Sequence, residues 1–188
     1  MTARLILICH GSTDAVRKGA FPADEPLDRH GQADAVALAK RLPPTGRCWT
    51  SPELRTRQTA EALQLNAIAL STLHDCNYGT WRGSTLDEIS ARNPHTVSAW
   101  LGDPAATPHG GESLLSLMHR VAEWLEGEKA MSGRAILVTH AAVIRAAIIH
   151  AIEATPKSFW RIDIAPLSFT RLSGKDGRWN VISSGCAL

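Results

Sequence analysis

Residues 5–13 read LILICHGST, an apolar run of strand length that stops at Cys9-His10 and passes at once into Gly11, Ser12 and Thr13. Such a run is a buried strand when turn-forming residues bound it. A second run, RAILVTH at residues 134–140, ends on His140, where the apolar period changes from that of a strand to that of a helix. Ligands of α/β sheets gather beyond the carboxyl ends of the strands. Two histidines at equivalent strand ends therefore mark a candidate site.

Working outward, strand-like runs lie at Arg4–Cys9, Arg47–Thr50, Ala135–Thr139, Arg161–Ala165, Phe169–Leu172 and Trp179–Ser183. Helical patterns fall between them. Gly31–Leu42 is Ala-rich and stops at Pro43-Pro44; Ser51–Leu63 has Ser51 as N-cap and Pro52 at the first helical position. Glu112–Leu125 repeats Leu114, Leu117, Met118, Val121, Trp124 and Leu125 on one face, and a further helix runs from about His140 to Ala154. This alternation predicts a three-layer α/β/α sandwich with a mostly parallel sheet. The tail FTRLSGKDGRWNVIS predicts an antiparallel hairpin on one edge, and the Gly- and Pro-bearing region from about Asp75 to Gly111 reads as a small cap.

The 188 residues fit one domain over 1–188, and 44% hydrophobic with 20% charged residues is an ordinary globular balance. A net charge of +2 without any block of Lys and Arg gives no nucleic-acid footprint. No apolar run is long enough for a signal core or a membrane span, so the expectation is a cytoplasmic protein with no membrane partner. Cys9, Cys48, Cys76 and Cys186 lack metal-ligand spacing, so neither a metal nor another cofactor is expected.

Three further groups bear on chemistry. SPELRTRQTAEAL places Arg55 and Arg57 near a helix N-terminus, which favours an anion. LHDCNYGTWRG sets Asp75 ahead of a glycine-containing loop, and HGGES sets Gly110-Gly111 before a helix start.

Taken in order, Cys9-His10-Gly11-Ser12-Thr13, Ser51-Pro52 with Arg55, Gln58, Thr59 and Ala60, Asn77-Tyr78-Gly79 with Trp81 and Gly83, Gly110-Gly111-Glu112-Ser113, and Val138-Thr139-His140 with Val143-Ile144-Arg145 resemble the histidine phosphatase, or phosphoglycerate mutase-like, superfamily. The resemblance covers most of the chain. It implies a phosphomonoesterase of the phosphatase branch that acts on a small phosphate ester through a phosphohistidine on His10, without metal. Arg55 and His140 would hold the phosphoryl oxygens, Asp75 would be the general acid if its surroundings raise its pKa, and Gly11, Thr13, Arg17, Arg82 and Ala141 would line the substrate. A sugar phosphate, a glycolytic acid phosphate or α-ribazole phosphate is compatible; the chain is short for the mutase branch.

The sequence departs from that pattern at two phosphate ligands. Cys9 stands where the family has the Arg of Arg-His-Gly, and Val16 where it has Asn six residues after the histidine. Losing one preorganised donor slows a reaction by about 10²–10³, so Arg17, or failing it Arg82, is expected to supply the missing cation. The alternative is a weak or inactive member that binds a phosphate ligand without turnover. A cysteine-dependent phosphatase on Cys9 fits poorly, because the sixth residue after it is Ala15 and the arginine follows only at Arg17.

Overall fold

The apolar runs assemble into a six-stranded sheet. The structure is a computed structural model and describes residues 2–43, 46–127 and 133–186. The strands are β1 (Ala3–Cys9), β2 (Arg47–Thr50), β3 (Ile68–Ala69), β4 (Gly133–Thr139), β5 (Phe169–Lys175) and β6 (Arg178–Cys186), in the spatial order β3-β2-β4-β1-β5-β6. β1 to β4 pair in parallel, whereas β5 and β6 are antiparallel. Asp176 and Gly177, both at positive φ, close the hairpin between β5 and β6. That twist is the one a two-residue hairpin needs, and Gly adopts it without strain.

Both faces of β1 and β4 are apolar because helices cover both, as parallel strands require. Leu5, Leu7, Cys9 and Leu137 pack with Leu114, Leu117, Val121 and Leu125 of α6 (Leu114–Gly127) and with the apolar residues of α7 (Ala141–Ala151). On the opposite face, Ile6, Ile8, Ile136 and Val138 meet Ala60 of α3 (Leu54–Ala62) and Leu38 of α2 (Arg29–Ala39). The cap holds α4 (Leu86–Arg92) and α5 (Pro94–Gly102), with its own core of Trp81, Ile89, Val97 and Trp100. No helix among the described residues is long and apolar enough to cross a membrane.

Several elements differ from the sequence expectation. Arg161–Ala165 is not a strand: a 3-10 helix runs from Pro156 to Arg161, and the Ile162 carbonyl accepts from Arg145 Nε at 2.7 Å instead of from a neighbouring strand. α3 begins at Leu54 with Glu53 as N-cap. Ser51 does not cap it, because its hydroxyl donates to the Leu73 carbonyl and lies 2.8 Å from Thr139 Oγ1. Asp24, from a distant loop, accepts the Leu54 N–H at 2.7 Å in its place. The short β3 and α1 (Asp14–Lys18) were not anticipated. α2 starts at Arg29 and ends before Pro43; Pro44, the second residue of the expected stop, lies outside the described residues.

Candidate active site

In-register pairing fixes the centre of the site. Cys9 lies opposite Thr139, so His10 and His140 leave adjacent parallel strands side by side, with ring centroids 5.3 Å apart. The His10 backbone is held by its N–H to the Thr139 carbonyl at 2.9 Å. Its Nδ1 lies 2.8 Å from the Gly11 carbonyl. A carbonyl only accepts, so Nδ1 carries the hydrogen and Nε2 keeps its lone pair. Burial, helped by the positive charges of His140 and Arg55, lowers the His10 pKa from 6.5 to about 3. His10 is therefore a neutral imidazole with one nitrogen free.

α3 and the loop before the cap supply the charges. Arg55 is 2% exposed, and its Nη2 donates to Asp75 Oδ2 at 2.6 Å. His140 Nδ1 lies 3.4 Å from the same oxygen. Burial pushes the Asp75 carboxyl up, but the charges of His140 and Arg55 outweigh it and leave the pKa below its ordinary value. With these neighbours Asp75 is a carboxylate, and the raised pKa that the general-acid expectation requires is not what they provide. Arg55 Nε and Nη1 are buried donors, and His140 Nδ1 is a buried ring nitrogen, without a hydrogen-bond partner among the described residues. Donors of this kind converging on one place suit an anion.

Sequence reasoning missed Glu53. Its Oε2 lies 2.8 Å from His140 Nε2 and its Oε1 accepts the Asp75 N–H at 3.0 Å. Burial pushes this carboxyl up, yet the hydrogen bond and charge of His140 bring it down to about 2. Glu53 thus orients both His140 and the Asp75 loop. An acid before a helix is normally a favourable end charge, and that ordinary reading hid it. Glu112 was read as a helix start and motif residue, but its partner Arg120 escaped notice: Arg120 Nε donates to Glu112 at 2.6 Å and Nη2 reaches the Asp75 carbonyl at 3.2 Å, tying α6 to the loop that presents Asp75.

The remaining residues of the expected site lie apart or are engaged. The Gly11 N–H donates to Thr59 Oγ1 at 3.0 Å, and Thr13 caps α1 while donating to Glu25 at 3.0 Å. α2 packs tightly on this loop; a Cβ at Gly31 would collide with the Ser12 carbonyl. Ala141 opens α7 at the site. Arg17 is not brought to the cluster, because Asp14 (2.6 Å) and Asp28 (3.3 Å) hold its guanidinium. Arg82 is exposed at the end of a 3-10 turn of the cap. Burial and the Asp75 charge push the Cys9 thiol up to about 12, so it stays protonated and is no nucleophile at neutral pH.

The family model of the histidine phosphatase superfamily (branch 1) matches residues 5–186. The chain belongs to that superfamily. Phosphoserine phosphatase 1 of Hydrogenobacter thermophilus is 26% identical over 190 residues, covering 95% of this chain and 90% of that protein. Glucosyl-3-phosphoglycerate phosphatase of Mycobacterium tuberculosis is 31% identical over 195 residues, covering 91% and 85%. Among solved structures, the mycobacterial glucosyl-3-phosphoglycerate phosphatase complex with VO3 superposes with a TM-score of 0.86 at 26% identity, over 98% of this chain and 99% of that one. The arrangement of strands, helices and cap is thus shared within the histidine phosphatases.

Proposed function

We propose that this histidine phosphatase superfamily member is a phosphomonoesterase acting on a small phosphate ester through a phosphohistidine. The observation that carries the reading is His10: a neutral imidazole with Nδ1–H fixed on Gly11, beside a buried guanidinium that has donors to spare. Nε2 attacks phosphorus, the P–O bond to the alcohol breaks, and the leaving oxygen takes a proton from Asp75. Water, losing its proton to Asp75, then attacks phosphorus; the P–N bond breaks, its electron pair returns to Nε2, and phosphate is released. Arg55 and His140 neutralise the equatorial oxygens throughout, and no metal takes part.

Substrate binding lets Asp75 take up a proton from solvent. A phosphoryl dianion between Arg55 and His140 draws on the cations that hold Asp75 ionised, so the carboxyl is released from them and protonates. Cys9 supplies no cation where the family's pattern has Arg, and Arg17 is engaged elsewhere. Arg55 is then the guanidinium of the cluster with donors left for a phosphoryl group, Arg120 being bound to Glu112 and the Asp75 carbonyl, so turnover should be slow unless the ester supplies binding energy elsewhere.

Quenching in alkaline denaturant during turnover of an aryl phosphate tests the reading. Wild-type protein should carry acid-labile, base-stable phosphate on His10, with turnover unchanged by EDTA. His10→Ala should carry none and lose activity by about 10⁴ or more. Binding of phosphate without hydrolysis of any ester in a broad panel would instead establish the binding-protein alternative.

A further inference from the structure

We propose that the end of the sheet opposite the histidines carries a second anion site, a groove for a small phosphorylated ligand walled by Arg4, Arg134 and Arg171. The sequence register puts these side chains on one face. Arg4 of β1 lies directly opposite Arg134 of β4, and Arg171 of β5 lies opposite Ile6, two residues further along β1. Arg4, Ile6, Arg134 and Ile136 alternate with residues of the other face, so the arginines continue the apolar stripe of Ile6 and Ile136 past its helical cover.

A cavity of about 340 Å³ lies at this place, lined by the three arginines together with Pro43, Ile6 and Ile182, and none of the described residues of its lining is acidic. Its size falls at the lower end of small-molecule sites, which run from about 300 to 1,000 Å³. Like charges directly opposite on neighbouring strands repel. Among the described residues Arg4 and Arg171 have no carboxylate to offset this, while Arg134 already makes an interaction of its own. A phosphate supplies a counter-charge for Arg4 and Arg171, and the planar guanidinium matches its oxygens two at a time.

The edge of the groove is also shaped. Val181 faces Leu172 and Ser183 faces Arg171, so Ile182 is the extra residue of a bulge and is 58% exposed at the groove. Bulges re-aim a side chain out of the regular ladder. Here the bulge gives an apolar wall, with Pro43 across from it, for the non-ionic part of the ligand. Six steps along the chain, about 20 Å of extended strand, separate Arg4 from His10, so this is not the phosphate place of the catalytic end.

Calorimetric titration with inorganic pyrophosphate tests the site apart from the catalytic reading. The background is Arg55→Met/Asp75→Asn, which removes the catalytic cation and its carboxylate together. One equivalent of pyrophosphate should still bind, and adding Arg4→Ala and Arg171→Ala should weaken it by at least about tenfold. Ile182→Glu, a change on the exposed bulge, should weaken it likewise by placing a carboxylate in the groove. In the otherwise wild-type chain, Arg4→Ala/Arg171→Ala should keep aryl phosphate hydrolysis within about twofold, which reports its fold. Absence of binding in the Arg55→Met/Asp75→Asn background, or binding unmoved by the arginine and Ile182 substitutions, overturns the proposal. Absence of hydrolysis in the wild type would bear only on the phosphatase reading.

Discussion

The two halves of the candidate active site are built on different principles. The strand-end half, His10 and His140, is set by backbone: parallel register places the rings, and burial with the Gly11 carbonyl fixes the state of His10. The half contributed by α3 and the pre-cap loop, Glu53, Arg55 and Asp75, is set by charge against charge. The first half is ready for chemistry as it stands. The second satisfies itself, and under the proposed function an arriving phosphoryl group has to compete with Asp75 for Arg55. On the proposed reading, preorganisation resides in His10, while Arg55 and His140 answer to the substrate.

Breaking the charge half should have the largest effect. Arg55→Ala leaves Asp75 as a buried carboxylate beside a single imidazole, and unpairing a buried ion costs about 3–5 kcal/mol. Activity should fall by about 10²–10³ for the lost phosphoryl donor. If the two residues are coupled as their 2.6 Å contact requires, Arg55→Ala/Asp75→Ala regains most of the stability and none of the activity. Urea unfolding of the three proteins checks this. Equal losses in the single and double variants would mean that the pair does not neutralise itself.

The strand half is tested by acid. The His10 pKa is 6.5 when unfolded and about 3 when folded. Between those values the unfolded chain binds a proton that the folded chain refuses. Stability therefore falls as pH drops from about 6.5 toward 3, with a slope of up to about 1.4 kcal/mol per pH unit for this one group. Glu53, lowered from 4.5 to about 2, adds a loss of the same sign at lower pH. Urea midpoints followed from pH 7 to 4.5 should show a shallower slope in His10→Gln than in wild type. Parallel slopes would mean that His10 is not held neutral by the fold.

Glu53 joins the halves, and its replacement sharpens the division between them. Glu53→Gln keeps an oxygen for His140 or for the Asp75 N–H but removes the charge. Positioning partners of this kind typically contribute about tenfold, and the loss should fall on kcat rather than KM, because no substrate contact is removed. Stability should fall as well, because the charge that His140 holds ionised in the fold is removed. A loss confined to KM would make Glu53 a substrate-binding group instead.

The difference between the halves also explains what the sequence made legible. β1 and β4 announce themselves by apolar runs of strand length, and their terminal histidines follow from the rule that ligands meet strand ends. Arg55 was visible as a cation near a helix start, although its near-complete burial was not. Glu53 was illegible because its partner, His140, lies 87 residues away. The start of α3 was misplaced for the same reason: Ser51 has the composition of a cap, but β4 and the Leu73 carbonyl claim its hydroxyl. Periodicity reports burial along one element. It does not report which distant polar group will take up a hydroxyl or carboxylate.

Arg17 is the smallest effect and the most direct test of where the clamp ends. Sequence proximity to Val16 made it the natural replacement for a missing phosphate ligand. In the fold its guanidinium lies between Asp14 and Asp28, with its side chain 55% exposed. Asp28 is itself committed: its carboxylate accepts the Gly31 N–H at 2.7 Å and the Ser12 hydroxyl at 2.9 Å, and the Gly31 hydrogen bond above all lowers its pKa. Asp28 therefore remains an anion that attracts Arg17 away from the site. An exposed pair of this type is worth little, so Arg17→Ala should alter kcat/KM by less than about threefold and leave the phosphohistidine intact. A tenfold rise in KM would show that the guanidinium leaves both aspartates for the phosphoryl group, and the charge half would then extend across the His10 loop.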